Sequence, residues 1–276
     1  MAPKGGGILY TIYDPEVSHS RVAKLDLVLV HGLNGDHIES WTHQESGICW
    51  PRDLLPEQLP GIRVLSFSYS ADIYANTSVA GIRDNAQNLL SSLRDLREEG
   101  AEEESRPIVF AAHSLGGIIV KQALRMAHND GLFKSLGILT RGLIFFGTPH
   151  AGSDHKRWLG MAKKFAPLAP GPRFFGWSRP SPLVESLTRN SRELQALCDD
   201  FRHLASEYDI VSFYEIAFFP GSKNIIVSQT SAVMGLPREE PIPLDQHHMD
   251  MVRFESESDS GFIITCGRLG RIMGKG

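Results

Sequence analysis

The segment IVFAAHSLGG, residues 108–117, gives the strongest fold signal in the sequence, because an apolar and β-branched run ends abruptly at a serine and a helical pattern begins at once. The run up to Phe110 predicts a buried parallel strand. Ala112 and Gly116 flank Ser114 as the small side chains that a strained strand–serine–helix turn requires. Such a turn, a nucleophile elbow, raises the Ser114 hydroxyl above the sheet and points the next helix N-terminus at it; an ordinary strand-to-helix turn is the alternative. The apolar positions of the predicted helix are Ile118, Ile119, Val120, Ala123, Leu124 and Ala127.

Predicted strands and helices alternate on both sides of this elbow. The predicted strands are 8–13 at an edge, 25–30, 63–69, 141–147, 210–215 and, last in the sheet, 224–227. The predicted helices are a short one opened by Pro51, then 78–98, 184–207 and a C-terminal helix around His247. The tail 261–276 contains more glycine than a good closing helix would. This rhythm predicts the α/β class, with a mostly parallel central sheet and helices on both faces. We expect a single domain over 1–276, with its core at about 22–256.

Composition limits which binding partners and which cellular compartment we expect. The 276 residues are 42% hydrophobic, enough for one large core, and the net charge of −4 with no basic cluster argues against nucleic acid as a partner. Three cysteines without disulfide or metal spacing fit a reducing compartment. The N-terminus lacks a secretory signal, and no apolar run reaches the roughly 18 residues of a membrane span. We therefore expect an intracellular, non-secreted protein.

A second glycine turn follows the predicted strand 25–30. That strand runs directly into His31-Gly32-Leu33, where glycine permits a tight turn and the amide of Leu33 can point toward the carboxyl edge of the sheet. Together with the amide of Leu115, it would supply two donors to an oxyanion. An ordinary glycine-rich loop is the alternative interpretation.

An acid and a base complete the pattern, in the chain order serine, acid, histidine. Glu215 ends a predicted strand at the edge where Ser114 also emerges, whereas Asp209 begins that strand and lies at the wrong edge. His247 and His248 follow the last strand, and spacing does not choose between them. The sequence shows no zincin or EF-hand spacing, so we expect neither a metal nor a cofactor.

Other residues are candidates for a substrate pocket. Residues 153–182 combine proline with large apolar and basic side chains beyond the carboxyl end of a strand, which predicts a lid or pocket wall with Trp158 and Phe165 in it. A packed insertion is the alternative, and the same segment is a candidate for peripheral membrane contact. His113, at a strand end beside Ser114, is a candidate pocket residue or a structural histidine.

A series of motifs extends this pattern over about residues 25–256: LVLVHGLNGD, SWT, WPRDLLP, FAAHSLGGIIVKQAL, GLIFFGTPHAGSD, VSFYE, SAVMG and HHMDMVRF. In this order they resemble the lipase-type α/β-hydrolases of the serine-active-site-containing protein and GPI inositol-deacylase-like group. Fungal members of that group often stand alone or precede NACHT-type ATPase modules. The resemblance implies Ser114 as nucleophile, His248 as base and Glu215 as acid. The sequence departs from that group at two positions. Ala112 stands where many relatives have glycine, and Met249 stands where relatives commonly have serine after the catalytic histidine.

The resemblance implies the α/β-hydrolase fold and a serine hydrolase that cleaves carboxylic esters, of a lipid or another apolar acyl substrate, through an acyl-enzyme. If an alcohol replaced water, the same site would be a transacylase. A signalling or interaction domain that retains the scaffold is the alternative from another class. We expect a cytoplasmic protein or, since the resemblance implies association with the mitochondrion or the endoplasmic reticulum, one peripherally associated with either organelle.

Overall fold

The computed structural model describes residues 7–33, 35–69, 79–98, 105–150, 191–221 and 223–274. Their strands form a seven-stranded sheet in the order β1-β3-β2-β4-β5-β6-β7. The strands are β1 (Ile8–Tyr13), β2 (Leu25–Val30), β3 (Ile62–Ser68), β4 (Ile108–His113), β5 (Thr140–Phe146), β6 (Asp209–Glu215) and β7 (Glu239–Leu244). β1 pairs antiparallel with β3, and every other pair in the sheet is parallel.

Helices cover both faces of the sheet. They are α1 (Pro15–His19), α2 (Trp50–Asp53), α3 (Leu55–Gln58), α4 (Val79–Glu98), α5 (Gly116–Asn129), α6 (Lys134–Leu139), α7 (Ser191–Leu204), α8 (Gln229–Ala232) and α9 (Ser260–Met273). Alternate residues of a strand point to opposite faces, so Val28 and Val30 pack with α4, α5 and α7, whereas Leu27 and Leu29 pack with α2, α3 and α9. The predicted α/β-hydrolase fold with a mostly parallel sheet is confirmed. The division into domains stays a prediction.

A buried charge cluster lies at the amino end of the sheet, opposite the edge that Ser114 reaches. Asp26 on β2 is fully buried and forms ion pairs with Arg63, Arg97 and Arg106. Arg97 and Arg106 also donate to the backbone carbonyls of Arg106 and Ala23. Because several donors satisfy one carboxylate, the cluster ties β2, β3, α4 and the start of β4 together.

Two predictions for the C-terminal part are wrong. Residues 224–227 do not form the last strand, because the amide of Val227 donates to the Glu215 side chain instead of to a sheet neighbour. The last strand is β7, an edge strand whose two prolines need no amide partner on the open side.

The expected helix around His247 is also absent, since residues 248–252 form turns. The closing helix is α9 instead. Asp259 caps it by accepting from the amides of Gly261 and Phe262. Burial of Phe262, Leu269 and Ile272 outweighs the low helix propensity of its glycines.

Candidate active site

Ser114 lies directly after β4 in a strained conformation, with φ of 53°. This left-handed conformation is uncommon for a residue other than glycine and is stored where surrounding structure enforces it. The Ser114 amide donates to the carbonyl of Phe146 on β5 at 2.8 Å, which holds the backbone in place. A Cβ at Gly116 would lie 2.3 Å from the carbonyl oxygen of His31, so the turn after the serine packs directly against the end of β2. The sharp turn predicted from the sequence is therefore present.

His248 connects the serine to an acid. Its Nε2 lies 2.9 Å from Ser114 Oγ, and its Nδ1 lies 3.2 Å from Glu215 Oε1. The side chains of His248 and Glu215 are both fully buried. In this arrangement the Ser114 hydroxyl donates to Nε2, while Nδ1–H donates to the carboxylate. The structure thus brings together the three residues that the sequence predicts as nucleophile, base and acid.

Glu215 is the last residue of β6, at the same edge of the sheet as Ser114. Its Oε1 also accepts from the amide of Val227 at 2.5 Å, which fixes the carboxylate on the loop after the strand. Oε2 is buried and has no hydrogen-bond partner among the described residues. Asp209, at the other end of β6, pairs with Arg238 and is remote from this edge.

The neighbouring His247 is held elsewhere. Its Nε2 lies 2.8 Å from Asp250, and its ring meets the Phe219 ring at 5.6 Å. Of the two adjacent histidines, the structure therefore places His248 against Ser114.

His113, predicted as a pocket residue, lies between the elbow and the loop that carries His248. Its Nε2 lies 2.8 Å from the backbone carbonyl of His248, and the two rings are 5.0 Å apart. Burial, and the proximity of His248, hold the pKa of His113 well below its usual value. A neutral ring can donate Nε2–H to that carbonyl. This contact fits the structural alternative given for His113, with a partner, the carbonyl of His248, that the sequence did not indicate.

His113 also borders a small polar cavity of about 50 Å³ between the loop after β2 and the loop that carries His248. Its other lining residues are Leu33, Gly35, Asp36, Glu39, Ser40, Met249, Val252 and Arg253.

The two predicted oxyanion donors lie on loops that meet at Ser114. A Cβ at Gly32 would lie 2.9 Å from the Ser114 Cβ, so the backbone just before Leu33 packs against the serine. Leu115 immediately precedes α5, whose N-terminus carries a partial positive charge. The side chains of Leu33 and Leu115 pack against one apolar cluster, which also contains Ile118 and Val227.

A stacked pair that the sequence did not indicate fixes the loop after β2. The rings of His31 and Tyr69 stack at 4.3 Å, and the Tyr69 hydroxyl donates to the carbonyl of His31 at 2.7 Å. Nδ1 of His31 lies 2.9 Å from the carbonyl of Gly32. Burial lowers the pKa of His31 to about 4 and raises that of Tyr69. Both groups are therefore neutral at pH 7, and both support the backbone that leads to Leu33.

Several sequence predictions concern residues beyond this site. Trp158, Phe165 and the lid-like segment 153–182 lie outside the described residues. Within the described ranges no group of three or more His, Cys, Asp or Glu side chains is placed to hold a metal ion. The helices in those ranges also include none that is long and apolar enough to cross a membrane.

This fold and this site define the class of protein. Residues 27–253 match the alpha/beta hydrolase family, and the chain belongs to that family. It is 27% identical to Protein SERAC1 of Danio rerio over 270 residues, which cover 89% of this chain and 39% of that protein. The chain thus spans about two fifths of the length of the curated relatives that it matches.

Solved structures show the same fold. The chain is similar to the mature lipase BlEst2 of Bacillus licheniformis, with a TM-score of 0.58 and 17% identity over 98% of this chain and 99% of that chain. It is also similar to a carboxylesterase structure from the thaumarchaeon Nitrososphaera gargenis, with a TM-score of 0.56 and 14% identity over 100% and 99% of the two chains.

Proposed function

We propose that this protein is a serine hydrolase that cleaves carboxylic esters of apolar acyl groups through an acyl-enzyme. One observation carries the proposal: His248 lies between Ser114 Oγ and Glu215 Oε1, at 2.9 and 3.2 Å, in a buried setting at the carboxyl edge of the sheet. A serine hydroxyl is a weak nucleophile until a positioned base takes its proton, and this geometry meets that need.

The reaction begins when Ser114 Oγ attacks the ester carbonyl while His248 Nε2 takes the hydroxyl proton. Glu215 orients the imidazole through Nδ1–H and stabilises the imidazolium that forms. His248 then returns the proton to the leaving alcohol, and the acyl group stays on Ser114. Water, activated by the same histidine, releases the acid in the second half of the cycle.

Negative charge develops on the carbonyl oxygen during both attacks. We assign the backbone amides of Leu33 and Leu115 as the donors that stabilise it, with the N-terminus of α5 adding its dipole. Gly32 packs on Ser114, and Gly116 packs on the backbone carbonyls of Val30 and His31. This close packing supports the assignment, because it holds the loop after β2 and the elbow against each other. Donors fixed in this way need no reorganisation when charge appears.

The surroundings of the site support an apolar acyl group. The apolar cluster that Leu33 and Leu115 pack against draws mostly aliphatic side chains from α5, α7 and the loop after β6, so the surface next to Ser114 suits a hydrocarbon chain. The similar structures described as a lipase and a carboxylesterase are consistent with that substrate class. The site also allows transacylation, in which an alcohol takes the place of water.

The test compares p-nitrophenyl esters of increasing acyl length with wild type and Ser114→Ala. We expect kcat to fall about 10⁴-fold or more in Ser114→Ala. Ser135→Ala, on the exposed surface of α6, is the matched control and should hydrolyse the esters like wild type. Adding glycerol as a second acceptor separates the two reactions, since a transacylase would form the glycerol ester.

A fluorophosphonate probe, which labels reactive serines, distinguishes the enzyme from a non-catalytic interaction domain. Labelling of wild type but not of Ser114→Ala would support the enzyme. A folded wild-type protein that neither reacts with the probe nor hydrolyses any ester would favour an interaction domain that retains the hydrolase scaffold. The narrower group membership, membrane contact and location in the cell stay predictions.

A further inference from the structure

A fully buried lysine lies on the helix that follows the elbow. Lys121 on α5 is 0% exposed, although lysine is rarely buried without a charged partner. Among the described residues it forms no ion pair, and its hydrogen bond goes to the thiol of Cys198, with Nζ 3.4 Å from Sγ. The rings of Phe145 and Phe201 face the same nitrogen at 5.9 and 5.8 Å. This setting places an amine directly beside a thiol and between two aromatic rings. Glu239, Arg202 and the buried His150 are close enough to interact with Lys121 electrostatically.

Burial lowers the pKa of Lys121, so a larger share of the side chain is the neutral amine at a given pH. A neutral amine is a nucleophile, whereas an ammonium group is not.

Cys198 on α7 is buried but retains 2% exposure. The chain offers a comparison, because Cys49 is also a free, buried thiol. The groups around Cys49 are Thr42, Arg52 and Asp53, none of which carries an amine. Only one of these two buried thiols thus has a lysine nitrogen in contact among the described residues.

We propose that Lys121 and Cys198 are a redox-controlled modification site, at which hydrogen peroxide produces a covalent nitrogen–sulfur link between α5 and α7. In the first step peroxide oxidises the thiol to a sulfenic acid and is itself reduced to water. In the second step the Lys121 amine attacks the electrophilic sulfur, and the N–S bond forms as the S–O bond breaks. The departing hydroxide takes a proton from the nitrogen and leaves as water.

The two steps together remove one hydrogen from the amine and one from the thiol and convert one peroxide into two waters. The product is a sulfenamide, which an added thiol reverses by attacking its sulfur and restoring the amine. The two residues are 77 positions apart in the sequence, so the link closes a long loop of the chain. Such a cross-link restricts the unfolded state and should raise the unfolding temperature.

The experiment treats the full-length protein with hydrogen peroxide, blocks remaining thiols with iodoacetamide and maps the tryptic peptides by mass spectrometry. We expect the peptide 193–202, which contains Cys198, to be joined to the peptide that contains Lys121. The joined mass should equal the sum of the two peptides minus two hydrogens, and dithiothreitol should separate them. Cys49 should form no link to a lysine, which makes it an internal control.

Two variants remove one partner each. Lys121→Arg keeps the positive charge but lacks a nucleophilic amine, and Cys198→Ser keeps a small polar partner, so neither should form the link or show a peroxide-dependent rise in unfolding temperature. Should either variant fail to fold, the peptide map of wild type decides alone. The proposal is wrong if peroxide-treated wild type contains no joined peptide, whether Cys198 remains a thiol or proceeds to the sulfinic acid.

Discussion

At the scale of single residues, Glu215 offers the sharpest test of how His248 is controlled. Glu215→Gln keeps the size of the side chain but replaces a charged acceptor with an amide, which favours the wrong tautomer of His248. We expect kcat for a short-chain ester to fall by up to about 10⁴-fold, with the fold retained. Steady-state kinetics on purified protein measures this loss.

Asp209→Asn is the matched control, since Asp209 lies on the same strand at the opposite edge of the sheet. Its activity should equal that of wild type. A Glu215→Gln protein with undiminished kcat would show that another group orients His248.

A second single-residue prediction concerns His113, which supports the loop of His248 without touching the reacting atoms. In His113→Phe the buried carbonyl of His248 loses its donor, which we expect to cost about 1–3 kcal/mol of stability and to displace the imidazole. We expect kcat to fall by about 10-fold or more while KM changes little, since a 1 Å displacement at a site costs up to about 100-fold.

A purely structural role would reduce stability alone, so the readout is kcat against pH measured well below the unfolding temperature. His113→Asn, which retains a donor, should recover part of the rate. If neither variant changes kcat or its pH profile, His113 only fills space.

At the scale of elements, the turn after Ser114 packs closely on the end of β2. Glycine permits this approach at position 116, because it has no Cβ. In Gly116→Ala the added Cβ would lie 2.3 Å from the carbonyl oxygen of His31 and 2.4 Å from that of Val30, both rigid backbone atoms. We expect loss of activity together with a destabilisation of more than about 2 kcal/mol.

Gly267→Ala gives the matched control within α9, because a Cβ there meets open space. This change should stabilise the protein by about 0.5–1 kcal/mol through helix propensity. Urea unfolding of both variants measures the difference, and equal stabilities would contradict the packing of β2 against the elbow.

The elements that the sequence predicted correctly are those whose signal is local. The apolar runs of β2, β4 and β5 are buried on both faces, and the helical spacing in α4 and α5 repeats over several turns. β7 was missed because prolines interrupt its alternation, and a proline within a run argues against a strand unless the strand lies at an edge. Edge position is a property of the assembled sheet, which no local pattern contains.

In the candidate site, too, local signals could be read from the sequence and long-range contacts could not. Ser114 and Glu215 could be assigned because each ends a strand, and strand ends can be read locally. Spacing could not separate His247 from His248, because the choice depends on how the loop after β7 turns toward β4, and only the family resemblance favoured His248. The supporting contacts of His31, Tyr69 and His113 were missed for the same reason, since each joins segments remote in sequence.

At the scale of the whole molecule, burial of neutral histidines makes stability depend on pH. Burial lowers the pKa of His31 to about 4 and holds the pKa values of His113 and His150 well below 6.5. The unfolded chain binds protons at these positions below about pH 6.5, whereas the folded chain does not. Their contribution to stability is therefore fully present above pH 6.5 and is lost as the pH falls toward 4.

Each buried histidine should contribute a slope of up to about 1.4 kcal/mol per pH unit in this window. His150→Phe tests one of them, because both ring nitrogens of His150 lack a partner among the described residues and its ring packs edge-on against Phe145. Urea unfolding at pH 7, 6 and 5 should show a shallower decline in this variant than in wild type. The exposed His128 supplies the control, since His128→Gln should leave the slope unchanged. Carboxylates contribute equally to all three proteins, so identical slopes in wild type and His150→Phe would mean that His150 takes up its proton in the folded state.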